Sequence, residues 1–466
     1  MSLADLLPDY VTTRRWYRAK ARTLRQLQIA DVLPIQEIDS EILVLRLDYT
    51  DGEADIYLLP VSKGDGSQSE DVIHDAVFDP AFRDWLLSAI GRESKIEGQN
   101  GGLQASHTSA FTGAPKLESS VGRAEQSNTS IIYQDRFILK LFRKLEPGVN
   151  PDIEIGRFLT ERKFQHTPAV LGTIEYRSKQ GDLHAAAILQ QFVPNRGDAW
   201  KYTLDSLDEF LRRVAGSHPP ELPSQHPLDL VSEDPPQLIG SYLESARLLG
   251  ARTAQMHTAL TDPNGGPDFA PEPFTPSDGE KLYQDMLSQA DIAFELLRRK
   301  NCAPELLRVE HRVTERFAPL RNHPVRSVRI RHHGDYHLGQ VLYTGDDFMI
   351  IDFEGEPART LAQRREKALS MRDVAGMIRS FQYAAYSAGK DEAWADFWTA
   401  WVSATYLKAY LDAAGDSPFL STDPQERRIL LDAFLLQKAL YEVAYELNNR
   451  PDWVRIPVRG ILGLIR

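Results

Sequence analysis

A chain of 466 residues is long enough for several structural units and for a core that needs no disulfide or metal staple. Lys plus Arg number 54 and Asp plus Glu 66, a formal charge of −12. That balance disfavours nucleic acid and anionic membrane surfaces as partners, because neutralising phosphates needs a cationic face. The one cysteine, Cys302, excludes an intramolecular disulfide and a multi-cysteine zinc site, and agrees with a reducing compartment. The opening Met-Ser-Leu-Ala-Asp-Leu-Leu-Pro does not read as a secretory signal, and no stretch reaches the roughly 20 apolar residues of a membrane helix. The expectation is a soluble, cytoplasmic protein of more than one domain.

In chain order, a short helix over Leu3 to Tyr10 leads into a basic segment, Arg14 to Arg22, with Trp16 as a packing anchor. Strand-like runs at 42–47 and 55–61 flank the turn signal Asp51-Gly52, and a helix over Asp79 to Ile90 closes this first unit. Residues 91–130 are rich in Gly, Ser, Gln and Asn and read as loops and turns. Their tail, including Ser127, Asn128, Thr129 and Ser130, precedes a strand pair, 131–133 and 137–142. Small polar residues in such a turn leave backbone N–H groups open to phosphates. Alternation along 137–142 puts Phe137, Leu139 and Leu141 on one face and Ile138, Lys140 and Phe142 on the other. A lysine among apolar neighbours needs a counter-charge or a snorkelling route to solvent. The helix opened by Asn150-Pro151-Asp152 offers Glu154 or Glu161. Three strand-like pieces follow, ending at Pro194-Asn195. Beyond about 200 the pattern turns helical, with candidates near 203–215, 239–260, 279–300, 303–318, 360–388, 391–414 and 425–449.

One non-helical island, 325–352, interrupts the helices. It contains His332-His333-Gly334-Asp335-Tyr336-His337-Leu338-Gly339-Gln340 and, after a turn, Ile350-Ile351-Asp352-Phe353-Glu354. Phosphoryl transfer needs a carboxylate to accept the attacking hydroxyl's proton, and oxygen ligands that hold Mg²⁺ against nucleotide phosphates. Asp335 suits the first role and Gln340 with Asp352 the second. The Asp335-to-Gln340 spacing is that of a protein-kinase catalytic loop. A zinc site from His332, His333, His337 and Asp335 is the weaker reading, because the histidines cluster in a loop rather than on one face of a helix and no cysteine helps.

These motifs resemble the aminoglycoside-phosphotransferase-like group of the protein-kinase-like fold and, within it, bacterial maltokinases. The resemblance extends over Arg15-Trp16, Leu139-Lys140-Leu141-Phe142, Phe192-Val193-Pro194-Asn195, Pro271-Glu272-Pro273-Phe274 and Tyr441-Glu442 through Arg450-Pro451-Asp452-Trp453. It implies an α+β, bilobal kinase fold: a cap subdomain over 1–92, a β-rich N-lobe over 93–196 and a helical C-lobe over 197–466. It implies ATP and Mg²⁺ as cofactors, maltose as acceptor at its anomeric hydroxyl, a place in α-glucan synthesis, and trehalose synthase as a partner. Carried over by residue, Lys140 meets the α/β-phosphates with Glu154 as its partner, and Ser127 to Ser130 face the phosphates. Gln191 and Val193 meet adenine, Asp335 is the base, and Gln340 and Asp352 are metal ligands. His332, Lys438, Tyr441, Glu442, Tyr445 and Glu446 join Asp335 in contacting the sugar. The alternatives are a glucosamine kinase or other sugar kinase on this scaffold, and a non-catalytic kinase-like regulatory module.

Overall fold

A computed structural model describes residues 3–62, 73–113, 115–122, 127–388 and 391–465. The chain forms two compact units, Met1–Pro194 with Ala358–Arg364, and Asn195–Pro357 with Arg365–Arg466. The fold is α+β, with the sheets concentrated in the first unit and long helices in the second.

The first unit opens with α1 (Leu3–Thr12) and an antiparallel meander of β1 (Leu24–Ile35), β2 (Ser40–Tyr49) and β3 (Asp55–Ser62). Gly52 holds φ +68 in the β2–β3 turn, a conformation open to glycine at no steric cost. The run Ile42-Leu43-Val44-Leu45 is apolar throughout because both faces of the sheet are covered. Leu43, Leu45 and Leu47 pack with Leu7, Val11, Trp16 and Tyr17. Ile42 and Val44 pack on the other side with α2 (Pro80–Arg92). Trp16 is therefore the expected anchor within the basic segment. Asp79 caps α2 by accepting the Ala81 N–H at 2.8 Å, with Pro80 at the first position.

A seven-stranded sheet follows, in the order β4-β5-β9-β10-β8-β7-β6. Its strands are β4 (Lys95–Glu97), β5 (Gly101–His107), β6 (Ser119–Val121), β7 (Asn128–Tyr133), β8 (Phe137–Phe142), β9 (Val170–Ser178) and β10 (Leu183–Gln191). Helix α3 (Pro151–Glu161) lies between β8 and β9 in sequence. Three of these strands fall where composition suggested only loops. In β5 the signal is thin: Leu103 and Ala105 alternate inward, but the glycines and polar residues around them mask the period. Two strands, rather than three, follow α3. The meander and this sheet share one core, which joins Ile42, Val44 and Leu58 to Leu86, Ile131, Leu139 and Leu189. Backbone bonds reinforce the join: Leu58 N–H donates to Arg143 O at 2.7 Å, and Leu145 N–H to Ile56 O at 2.8 Å.

The second unit is built on α4 (Ala199–Arg213), α5 (Tyr242–Ala259), α6 (Pro276–Lys300), α7 (Met371–Ser387), α8 (Glu392–Ala414), α9 (Pro424–Asn449) and α10 (Arg455–Leu464). Helix α8 is buried on nearly every side, carrying Trp394, Phe397, Trp398, Trp401 and Tyr406 inward, as a central core helix does. The expected helix at 303–318 breaks into short turns, because Val309 leaves helical geometry at φ −115, ψ 15. The expected helix at 360–388 begins in earnest only at Met371. Ala368 is instead extended and exchanges two backbone hydrogen bonds with Ile330, at 2.9 and 3.0 Å. That pairing overrides local helix propensity. It delivers the chain into residues 331–340, after which β11 (Val341–Tyr343) and β12 (Phe348–Ile350) form a small antiparallel hairpin. Among the described residues no helix is long and apolar enough to cross a membrane.

Candidate active site

In the second unit the loop 331–340 is held from beneath by Asp373, a buried residue near the start of α7. Its carboxylate accepts the N–H groups of His333 at 2.7 Å and Gly334 at 3.0 Å, and meets His257 Nε2 at 3.1 Å. Burial opposes charge on Asp373, but the His257 bond together with the fields of His332, His257 and His333 outweighs it and holds the carboxyl well below the usual range. Sequence reasoning missed Asp373, although an acid set in an apolar helical stretch is a visible signal. Leu338 N–H is fixed by Ser380 Oγ at 3.1 Å.

The histidines of the loop are structural. His333 Nδ1 accepts the Asp335 N–H at 3.4 Å, so Nε2 carries the hydrogen and donates to Ile351 O at 3.0 Å. His337 Nδ1 accepts the Gly339 N–H at 3.0 Å and caps the short turn Leu338–Gln340. Burial lowers the pKa of His337, and pushes His332 down to about 3. His332 is thus a neutral buried ring rather than an open sugar contact. With both nitrogens of His333 engaged, the zinc reading has no ligand cluster among the described residues.

Asp335 faces Lys438 of α9, with Oδ1 3.2 Å from Nζ, and lies 3.9 Å from His337 Nε2. Burial works against the Lys438 charge, but Asp335, Glu356 and Glu442 outweigh it and raise the ammonium pKa. Gln340 ends its turn with its carbonyl accepting the Ile351 N–H at 3.0 Å, which brings Gln340 beside the strand end that carries Asp352. Asp352 adopts φ +65, in the left-handed region that asparagine and aspartate enter more readily than other residues with a Cβ.

Along α9, Tyr441 and Tyr445 stack with centroids 6.4 Å apart and planes at 21°, and Lys438 Nζ lies 5.0 Å from the Tyr441 ring centre. Tyr445 is 45% exposed. Arg450 lies over both Tyr445 and Trp453, and Trp453 stacks on Tyr383. Glu442 and Glu446 depart from the expected sugar contacts. Glu442 receives Arg379 Nε at 3.0 Å, and Glu446 is 1% exposed, bound by Arg450 at 2.7 and 3.0 Å and by the Tyr383 hydroxyl at 3.2 Å. The pair that lies one step around the helix from the tyrosines faces the core, where each acid holds an arginine.

In the first unit Lys140 lies on β8 as the alternation required, with Nζ 5.5 Å from the Phe142 ring centre. Asp152 supplies a counter-charge at 3.2 Å, an acid that the expectation of Glu154 or Glu161 does not include. Asp152 sits in the first turn of α3, where Asn150 Oδ1 accepts its N–H at 2.9 Å and fixes the helix start. The helix-start signal Asn150-Pro151-Asp152 is legible in the sequence, and Asp152 is part of it. Asn128, Thr129 and Ser130 lie on β7 rather than in the turn, and Ser130 pairs directly with Lys140. Thr129 is fully buried and accepts Arg143 Nε at 2.8 Å, so it faces the core and not a phosphate. The same guanidinium reaches Asp75 at 2.7 Å. Ser127 immediately precedes β7, and residues 123–126 of the expected phosphate turn lie outside the described residues. Gln191 closes β10 opposite Phe137, and its N–H donates to Ala169 O at 2.9 Å. Val193 follows just beyond the strand.

Residues 10–78 match the maltokinase N-terminal cap domain. The chain is 22% identical over 346 residues to a glucosamine kinase of Mycolicibacterium smegmatis, covering 73% of this chain and 78% of the relative. It is 24% identical over 369 residues to a glucosamine kinase of Streptacidiphilus jiangxiensis, covering 76% of each. A solved glucosamine kinase in complex with glucosamine, ADP and inorganic phosphate superposes over 100% of both chains with a TM-score of 0.70 at 19% identity. That likeness establishes the fold.

Proposed function

We propose that this chain, a maltokinase-like kinase, transfers the γ-phosphate of ATP to the anomeric hydroxyl of maltose, giving maltose 1-phosphate for α-glucan synthesis. The observation that carries the reading is Asp335, held in its loop by Asp373 and met by Lys438 at 3.2 Å from a helix whose outer stripe is aromatic. Asp335 accepts the proton of the attacking hydroxyl, and Lys438 orients its carboxylate and adds a positive charge beside the transferring group. In the first unit, Lys140 with Asp152 is assigned to the phosphates, and the Gln191 carbonyl with the Val193 backbone to adenine. The amide oxygen of Gln340 and the carboxylate of Asp352 are hard oxygen donors on neighbouring backbone positions, a set that suits Mg²⁺. Bound there, Mg²⁺ would neutralise phosphate charge.

The choice of an uncharged disaccharide rests on charge balance. Glu442, Glu446 and Glu356 hold Arg379, Arg450 and Arg372 respectively, and Asp335 holds Lys438. An amino group on the sugar finds no uncommitted acid among these, whereas Tyr441 and Tyr445 present ring faces to a neutral sugar. The maltokinase-type cap supports the same choice. The second reading, a glucosamine kinase, is favoured by the names of the curated relatives. Phosphoryl transfer from ATP to maltose, glucose, glucosamine and trehalose, with the product linkage read by ³¹P NMR, separates them. Maltose phosphorylated at the anomeric oxygen with the highest kcat/KM is the expected result. Glucosamine as the best acceptor would replace the maltose assignment, and no acceptor at all would leave a regulatory module.

A further inference from the structure

Asp335 is bracketed in the chain by two buried anchors, and both lead to the same pair of helices. On its N-terminal side, the N–H groups of His333 and Gly334 rest on the Asp373 carboxylate, and Asp373 Oδ2 meets His257 of α5 at 3.1 Å. On its C-terminal side, the Tyr336 hydroxyl reaches Thr253 of α5 at 3.1 Å. Helix α8 completes each anchor. The Tyr410 hydroxyl lies 3.0 Å from His257 Nδ1, and the Tyr406 hydroxyl donates to Thr253 Oγ1 at 3.2 Å. Thr253 and His257 are four residues apart on α5, as Tyr406 and Tyr410 are on α8, so each pair shares one helix face. Gly250 lies on that face of α5 one turn earlier, and a Cβ there would collide with Tyr406 O. Glycine lets the two backbones approach closely enough for these side chains to bridge them.

The direction of each bond follows from its neighbours. Thr253 Oγ1 donates to Leu249 O at 2.8 Å, so both tyrosine hydroxyls donate to it. Burial raises the pKa of Tyr336, Tyr406 and Tyr410, which keeps their hydrogens in place. The Asp373 carboxylate only accepts, so His257 carries a hydrogen on Nε2 and donates it there. Thr253, His257, Tyr336, Asp373, Tyr406 and Tyr410 are all buried. Polar groups at a helix crossing are costly to bury unless their bonds are made, and a network with its bonds made is rigid. Here the bonds are made, and both branches end on chain neighbours of a single carboxylate.

We propose that Thr253 and His257 are positioning residues for phosphoryl transfer, acting through Tyr336 and Asp373 to hold the Asp335 carboxylate where the attacking hydroxyl meets it. The proposal rests on the reading of Asp335 as the base. Both residues lie beneath the loop, fully buried, and work only through its backbone and the Tyr336 side chain. Their effect is nonetheless on rate, because a reacting group displaced by about 1 Å loses about 10²-fold.

Paired substitutions in the full chain separate positioning from packing. His257→Gln carries an N–H to about the place of Nε2 and keeps the bond to Asp373, whereas His257→Asn is too short and reaches only toward Tyr410. Thr253→Ser keeps the accepting oxygen, whereas Thr253→Val keeps the shape and removes it. Well below each variant's Tm, and with whichever of maltose or glucosamine the parent phosphorylates, His257→Asn and Thr253→Val should lower kcat about tenfold or more. Their KM for ATP should stay within about threefold of the parent. His257→Gln and Thr253→Ser should recover at least about a third of the parental kcat. In hydrogen–deuterium exchange without substrate, amides over 333–338 should exchange about tenfold faster in His257→Asn and Thr253→Val than in their partners. A packing role alone lowers Tm in the variants and leaves the kcat of the folded enzyme where it was. Parental kcat in folded His257→Asn and Thr253→Val, or equal exchange over 333–338 within each pair, overturns the proposal. A parent that phosphorylates no sugar removes the transfer reading instead, and the exchange experiment, which needs no turnover, then decides whether the loop is held this way.

Discussion

Replacing Lys438 with methionine tests the centre of the reading. Methionine keeps the length and helix propensity of the side chain and removes its charge. Lys438 Nζ and Asp335 Oδ1 are 3.2 Å apart, with 20% and 19% of their side chains exposed. At an effective dielectric constant of about 20, the gross attraction at that separation is about 5 kcal/mol. Desolvating two largely covered ions offsets much of it, which leaves a coupling of about 1–3 kcal/mol in a double-mutant cycle. The cycle is Lys438→Met, Asp335→Asn and the double variant, each unfolded in urea at pH 7.5. In ADP-release assays with maltose, Lys438→Met should lower kcat about 10²-fold, the scale for removing one preorganised positive group beside developing charge. The KM for ATP should change less than about threefold, because Lys438 orients the base and does not hold the nucleotide. Lys438 titrates above its ordinary value, so its contribution is present below the unfolded pKa of about 10.4 and is lost only as pH rises through the folded value. Its charge is constant from pH 6 to 9, and activity changes in that window belong to other groups. Coupling below about 0.3 kcal/mol together with kcat above about a third of the parent would refute the pairing as a functional device.

Asp152→Ala should raise KM for ATP about tenfold or more, whereas Glu154→Ala should change it by less than about threefold; the reverse order in a fixed-maltose titration would return the Lys140 partnership to Glu154. Asp352→Asn should abolish Mg²⁺-dependent turnover and leave the urea midpoint nearly unchanged, since asparagine also enters the left-handed region; surviving activity with the same Mg²⁺ dependence removes Asp352 from the ligand set. His332 has a folded pKa pushed down to about 3 by burial. The unfolded chain, titrating near 6.5, then binds more protons below that pH, so stability falls with pH between about 6.5 and 3. Between pH 7 and pH 5 the loss reaches about 2 kcal/mol, and a His332→Gln variant that keeps the same pH slope in urea melts would show that the loss has another source.

The readable parts of this molecule were those in which neighbours in sequence do the physical work. The strand β8 with Lys140, the helix α3 with its Asn150 cap and the loop from Asp335 to Gln340 are local patterns, and the structure contains each of them. The errors have a common cause. Thr129 was read as open to phosphate because a small polar residue near a turn usually is, but a buried guanidinium from Arg143, one strand over, faces it. Glu442 and Glu446 were read as sugar contacts because helical spacing puts them beside Tyr441 and Tyr445. Which stripe faces inward depends on Arg379 and Tyr383 of α7, each 63 residues before the acid it meets. Ala368 looked helical until it had Ile330 to pair with.

The same logic explains why the Asp335 environment could be named but not assembled from the sequence. Its loop has the right acids and amides, yet the groups that fix its geometry come from other helices. Asp373 ties down the backbone from α7, and Lys438 reaches the carboxylate from α9, 103 residues away in the chain. A periodic pattern reports which face of a helix is apolar, and it carries no information about what that face meets. Lys438, Tyr441 and Tyr445 share a stripe by spacing alone, but only the packing of α9 turns that stripe toward Asp335 and turns Glu442 and Glu446 away. The acceptor reading therefore depends on the orientation of one helix. Rotating α9 by a single residue, about 100°, would exchange the aromatic stripe for the acidic one. The Arg379–Glu442 ion pair and the Tyr383–Glu446 hydrogen bond, both made from α7, oppose it.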